Sequence, residues 1–270
     1  MVIDFHTHVF PDKIAKRTIE SLSEKGGIPP FSDGSVAGLL DKMQKAGVTL
    51  AVNLPVMTSP TQFDSINRFA SEINAAFAEK EERILSFAGI HPLCGNIEDK
   101  MKWIKAQGFL GVKIHPDYQD TYINDEGYLR IFRAAKEEDL IVITHAGVDD
   151  GYPNCPVHCT PERTLDVLRK VGSFRFVLAH YGANRMENEV FELLAGKDVY
   201  FDTAYLLRFI KKEDFLRILD KHGEDRILFA SDSPWSDIRN DVEILRSYSL
   251  PSNTEQKILA DNAKHLLGMK

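Results

Sequence analysis

The sequence predicts an α/β protein built as a single (β/α)₈ TIM barrel over residues 1–270, with its active site at the C-terminal rim of the strands. Three observations carry that expectation. Eight short apolar runs recur along the chain, each followed by a polar or glycine-rich break and then by a helical pattern. The runs are nearly continuous in Val, Ile, Leu and Phe rather than alternating, as parallel strands covered on both faces must be. The strand ends, from His6 to Asp232, fall about 32 residues apart on average, the size of one βα unit.

In order, the runs are Val2–Phe5, Val48–Leu54, Ile84–Ile90, Leu110–Ile114, Leu140–Thr144, Phe174–Ala179, Val199–Phe201 and Ile227–Ala230. Between them lie amphipathic stretches such as Leu39–Ala46, Ile66–Lys80, Tyr128–Glu138, Thr164–Val171 and Phe215–His222. Pro161-Glu162 suits a first helical turn, where a missing N–H costs nothing, and Ser236-Asp237 offers an oxygen to cap another. Gly47, Gly108, Gly172 and Gly223 stand where a left-handed C-terminal cap is expected. The longest irregular stretches, Gly26–Ser35 and Ala146–Thr160, fall as βα connections on this register. A doubly wound open sheet would need fewer strands and a glycine-rich phosphate loop after the first one, where this chain has His and Thr. No linker or shift in composition divides the chain.

Composition removes whole function classes. Of the 270 residues 43% are apolar and 27% charged, which is ordinary globular material. With 33 basic against 40 acidic residues the net charge is −7, the wrong sign for gripping a phosphate backbone, so no nucleic-acid partner is expected. No run approaches the ~18 apolar residues of a membrane span. Asp4, His6 and His8 also interrupt any signal-peptide core at the N-terminus. Three cysteines cannot make a disulfide framework, so a cytoplasmic location is expected. A small-molecule substrate is the expected partner, and a homo-oligomer is compatible with the chain.

The polar residues that end the strands carry the functional signal. Strand one ends in Asp4-Phe5-His6-Thr7-His8, strand two at Asn53, strand three in His91-Pro92 and strand four in Lys113-Ile114-His115-Pro116. Strands five to eight end in Thr144-His145, Ala179-His180, Asp202-Thr203 and Ser231-Asp232-Ser233-Pro234. Barrel enzymes assemble their sites at this rim. Six histidines fall there, and only His158, His222 and His265 do not. His6 and His8, two apart on a strand, share a face and can grip one ion. With histidines closing strands five and six and an aspartate closing strand eight, the donors suit a divalent metal: Zn²⁺ first, with Mn²⁺, Fe²⁺ or Co²⁺ also compatible.

These motifs, with Gly111-Val112-Lys113, His145-Ala146-Gly147, His180-Tyr181-Gly182 and Pro234-Trp235, resemble the amidohydrolase superfamily. The nearest likeness is to its amidohydrolase 2 branch, which holds aminocarboxymuconate-semialdehyde-decarboxylase-like enzymes. The resemblance implies His6, His8, His145 and Asp232 as metal ligands. It makes His180 catalytic in one-metal members and a ligand in two-metal members, where a carbamylated lysine at the position of Lys113 bridges the ions. TatD-type nucleases share Gly89-Ile90-His91-Pro92 but carry Glu where this chain has Lys113.

The reaction expected is hydrolysis of a small amide, ester or lactone by a metal-activated water, with Asp232 taking the proton and His180 holding the oxyanion or an ion. Non-oxidative decarboxylation of an aromatic or unsaturated acid is the alternative, and a non-catalytic ligand-binding barrel the further one. Lys113 and His115, two apart on one face, could bind a substrate anion, which favours one ion over two. His91 and His115 each precede proline and either shape a turn or touch substrate. Tyr181, Tyr205, Arg208 and Trp235 lie just past strand ends as pocket walls or loop packing. Cys155-Pro156-Val157-His158-Cys159 lacks a second ligand pair for structural zinc, and reads as a loop with two free thiols. Cys94 reads as structural.

Overall fold

The computed structural model describes residues 1–80, 83–152 and 154–269. Its strands are β1 (Ile3–Thr7), β2 (Leu50–Asn53), β3 (Arg83–Ser86), β4 (Ala88–Gly89), β5 (Gly111–Ile114), β6 (Ile141–Thr144), β7 (Phe176–Leu178), β8 (Tyr200–Asp202) and β9 (Ile227–Leu228). All pair in parallel, in the orders β1-β2-β3 and β4-β5-β6-β7-β8-β9. The eight expected runs are all found, but the third is divided. Phe87 separates β3 from β4, its buried ring standing edge-on to Phe5 with centroids 6.0 Å apart. No continuous ladder joins the two sheets; single backbone bonds span both seams. Phe87 N donates to Asn53 O (3.0 Å) at one, and Phe5 N to Phe229 O (2.9 Å) and His8 N to Ser233 O (2.7 Å) at the other.

The helices are α1 (Asp12–Gly26), α2 (Val36–Ala46), α3 (Phe63–Phe77), α4 (Ile97–Ala106), α5 (Glu126–Glu137), α6 (Pro161–Val171), α7 (Glu187–Glu189), α8 (Lys212–His222), α9 (Ile238–Ser247), α10 (Ser252–Gln256) and α11 (Asn262–Leu267). Two of them, α1 and α2, lie between β1 and β2. Gly26–Ser35 therefore joins helix to helix, which corrects its expected place as a βα connection. Ala146–Thr160 does link β6 to α6. Both expected starts hold: Pro161 opens α6 under a Thr160 side chain that accepts from Arg163 N, and Asp237 caps α9 by accepting from Asn240 N. Gly47 ends α2 in the left-handed region (φ 69°, ψ 27°). Gly172 and Gly223 have positive φ but ψ of −170° and 146°: the chain leaves α6 toward β7, and leaves α8 for a 3₁₀ turn over Glu224–Arg226 that precedes β9.

Ile3, Phe5, Leu50, Val52, Ile141, Ile143 and Leu228 form one apolar cluster, into which Ala263 and Leu266 of α11 pack. A second cluster includes strand residues such as Val112 and Phe176 together with Met43, Ile73, Met101, Phe132, Val167 and Ile218 of the helices. Each large side chain so buried contributes about 1.5–3 kcal/mol. Among the described residues no helix is long and apolar enough to cross a membrane.

Candidate active site

Strand parity aims the polar residues. Lys113 is paired with Ile143 and Gly111 with Ile141, so Lys113 shares the inner face of that apolar cluster, as do His115 and His145 two residues beyond. On β1 the register against β2 slips between Asp4 and Thr7, where three residues oppose two. This extra residue lets Phe5, His6 and His8 all turn inward, whereas strict alternation would send Phe5 and His6 to opposite faces. His180 (φ 58°) and Asp232 (φ 68°) sit in the left-handed region, an unfavourable backbone for such residues that recurs where side chains are held for function.

A cavity of about 470 Å³ opens at this rim and is lined by His6, His8, Lys113, His115, His145, His180 and Asp232. His6 Nε2 and His8 Nε2 are 3.2 Å apart, and Asp232 Oδ1 lies 3.3 Å from the first and 3.1 Å from the second. Their outer nitrogens are spoken for: His6 Nδ1 is 2.9 Å from Asp202 Oδ2 and His8 Nδ1 is 2.8 Å from Leu54 O. Both partners are acceptors, so each Nδ1 carries the proton and each Nε2 is a bare lone pair. Two lone pairs and a carboxylate oxygen facing one another call for a cation, and the donor set fits a divalent transition metal. In this structure the Lys113 ammonium supplies positive charge there, with Nζ 2.9 Å from His6 Nε2 rather than paired with Asp232 or Asp202.

A second group stands beside the first, with the His180 ring centroid 5.7 Å from that of His6. His180 Nε2 is 2.9 Å from His145 Nδ1, and His180 Nδ1 is 2.9 Å from Ala204 O. His145 stacks on His115 with ring centroids 4.3 Å apart and planes 10° from parallel. His115 Nε2 faces Asp149 Oδ2 at 3.5 Å and His145 Nε2 faces Asp117 Oδ2 at 3.6 Å. Gly147 lets the loop after His145 pass close to the loop after His180. A Cβ there would meet Asn184 N at 2.2 Å, and φ is +83°.

Burial dominates the electrostatics. It drives the pKa of His6, His145 and His115 well below the ordinary imidazole value, helped by neighbouring positive groups, and lowers that of His180 against the pull of Asp232. Lys113 is lowered by burial although Asp232, Asp202 and Asp149 draw it up. Burial raises Asp202, and it would raise Asp232 too, but His8, His180 and Lys113 outweigh it and hold Asp232 below the usual carboxylate value.

The structure therefore gathers His6, His8 and Asp232 around one point, with His145 and His180 paired beside them. Tyr205 and Trp235 line the cavity as expected. Tyr181, Arg208 and His91 are not brought to it. Tyr181 stacks on Phe215 at 4.6 Å and its hydroxyl donates to Phe215 O. Arg208 donates to Trp235 O at 2.7 Å and lies over the Phe31, Tyr205 and Phe209 rings. His91 accepts from Leu93 N at 3.1 Å and shapes its turn. Asp117 escaped the sequence reading, and the Asp149-Asp150 pair, which the sequence reads as solvated surface charge, instead lines the cavity, with the Asp149 side chain largely buried. The one available signal was Asp117 two residues past His115, in a turn that itself gave no direction.

These features decide the family when set beside known proteins. The family model for amidohydrolases matches residues 3–269. The chain belongs to that family. No curated protein sequence matches it. Among solved structures it is similar to an uncharacterised TIM-barrel protein from Bordetella bronchiseptica (TM-score 0.75, 17% identity, covering 99% of this chain and 98% of that one). It is similar also to 2,6-dihydroxybenzoate decarboxylase from Rhizobium (0.72, 15%, 99% and 98%). A third likeness is dihydroxybenzoic acid decarboxylase from Polaromonas sp. JS666, with bound manganese and the inhibitor 2-nitroresorcinol (0.71, 14%, 99% and 96%). At these identities the amidohydrolase chain shares their fold.

Proposed function

We propose that this amidohydrolase is a metal-dependent hydrolase of a small, uncharged ester, lactone or amide with an apolar body. One observation carries the choice of reaction. Lys113 is the one lysine or arginine among the described residues lining the cavity, and it is held against His6 instead of facing the open space. Of the acidic groups of the lining, Asp150 is already paired with Arg185 at 2.8 Å, and Asp149 and Asp232 offer a substrate carboxylate no partner. The far wall, with Phe10, Ile14, Leu22, Ile28, Ile66 and Phe69, suits an apolar body.

His6, His8 and Asp232 would hold a divalent ion, which when bound activates water and polarises a carbonyl. Asp232, ionised at neutral pH, takes the proton released by the attacking water and returns it to the leaving group. His180, kept neutral by burial, faces the same space. The expected single ion drew on Lys113 and His115 as an anion site, and the geometry turns them to His6 and Asp149. We therefore favour a second ion on His145 Nδ1 and His180 Nε2. Burial lowers the Lys113 pKa to about 8, which raises the share of neutral amine; that amine could add carbon dioxide and release a proton, and the resulting carbamate would supply negative charge to hold two ions.

Decarboxylation is the second reading, favoured by the reactions named for two of the similar structures. Metal-loaded protein should be assayed against lactones, esters, amides and aromatic carboxylates, with and without chelator. Chelator-sensitive turnover of the uncharged substrates is expected. Carbon dioxide release from an aromatic acid with no hydrolysis would replace this reading with the second.

A further inference from the structure

We infer that the substrate is elongated, with its reacting group at the His6, His8 and Asp232 end of the cavity and its apolar body a linear alkyl chain laid along α1. The inference deepens the hydrolase reading above and rests on it for the chemistry at the reacting end. The path of α1 carries it. The helix starts at Asp12, shortly after His8. Its other end docks on the loop after β6, where Lys25 Nζ lies 3.5 Å from the Tyr152 ring centroid and a Cβ on Gly26 would meet Gly151 Cα at 3.3 Å. With β3 and β4 counted as one stave, β6 is the fifth of eight and stands opposite β1. So α1 crosses the mouth of the barrel as a roof.

Two faces of α1 divide its contacts. Ala15 and Ile19 are the residues it buries, and Ile19 packs so closely on Gly34 that a Cβ there would meet its Cγ1 at 2.5 Å. Ile14, Thr18, Leu22 and Gly26, one from each successive turn, share another face and line the cavity. That row spans about 18 Å of helix, far more than a lactone ring or an ester group alone would fill. Ile14 is 40% exposed, an apolar surface that the protein itself leaves uncovered on the roof of its cavity. On the α3 wall, Ile66 and Phe69 add apolar surface, while the polar side chains bond within their own turn. Gln62 Oε1 accepts from Thr58 N at 2.8 Å and Ser59 N at 3.1 Å, and Ser65 Oγ donates to Gln62 O at 3.1 Å. A long space walled in this way suits methylene groups.

Titration calorimetry with the straight-chain alcohols from butanol to decanol, on zinc-loaded protein, tests the shape of the site without turnover. Each added methylene should tighten binding about fourfold, and the rise should continue at least to octanol. A wild-type series that stops rising before octanol would overturn the inference. Leu22→Trp fills the third turn of the row and should end the rise at or before hexanol. If it does not fold, Thr18→Phe obstructs the same row one turn earlier, and should neither fold, the wild-type series alone decides. A folded variant that follows the wild-type series to octanol would place the alcohols elsewhere and overturn the inference. Esters of matching chain length separate the two readings. A rising alcohol series with no ester hydrolysed removes the hydrolase reading and keeps the elongated site. Hydrolysis indifferent to chain length, beside a flat alcohol series, does the reverse.

Discussion

The two sides of the rim cavity hold similar donors in different states of closure. On the β1 and β9 side, the outer nitrogens of His6 and His8 meet Asp202 and the Leu54 carbonyl at 2.9 and 2.8 Å. On the β5 and β6 side, His115 and His145 face Asp149 and Asp117 at 3.5 and 3.6 Å. The difference follows from what carries the partners. Asp202 is a strand residue and Leu54 directly follows one, so the ladder register sets their positions. Asp117 and Asp149 stand in loops, whose backbone follows no ladder. A histidine backed by strands is held before any ion arrives, whereas one backed by loops tightens as the ion binds.

The largest effect should come from the tight side. On the proposed reading Asp232→Asn removes a ligand's negative charge and the proton acceptor together, and should lower turnover by about 10²–10⁴-fold. His6→Ala should strip the ion without unfolding the barrel, seen as metal loss at unchanged circular dichroism. A metal-replete His6→Ala protein would place the first ion elsewhere.

Lys113→Ala comes next, because it touches both sides. The metal-to-protein ratio should fall from near two toward one, and turnover should drop. A wild-type ratio near one, unmoved by the substitution, would restore the single-ion expectation. Asp202→Asn should then cost about 10–100-fold in affinity for the first ion. If it proves milder than Asp117→Asn, the contrast between strand-backed and loop-backed histidines is reversed.

The smallest effect is on stability. Burial pushes Asp149 up to about 7, so the folded state prefers it protonated while the unfolded chain ionises it near the ordinary 3.8. The folded pKa is the higher one, so this contribution is present below about 4 and is lost as pH rises to about 7. Asp149→Asn removes that loss. Its melting temperature should exceed wild type by a few degrees at pH 8 and converge with it at pH 4. Parallel curves at both values would mean that Asp149 is not the titrating group.

Much of this was legible in the sequence, for stated reasons. Continuous apolar runs mark buried parallel strands, and residues ending them reach the rim by parity alone, which is how Lys113, His145 and Asp232 could be placed. The break at Phe87 left no mark, because an apolar residue reads the same in or out of a ladder. The additional helix before β2, α1, was hidden for a different reason: it is rich in charged residues and buries only Ala15 and Ile19. Proximity to a strand end does not give direction either. Tyr181 was expected at the pocket, but its left-handed backbone (φ 59°) accompanies a ring packed on Phe215. The partner of His145 was the least legible feature, because it depends on the rotation of one ring against a loop carboxylate.

The additional helix of the first βα unit divides labour within the molecule. Ile14, Thr18 and Leu22 of α1 line the cavity, yet α1 supplies no metal donor and no proton carrier. On the proposed reading, recognition and reaction would thus be written on separate segments. Drift at Ile14 or Leu22 could exchange one apolar body for another while the histidines stay as they are. A lineage bearing this barrel can change its diet without reinventing its chemistry, and the helix is where that history should be recorded.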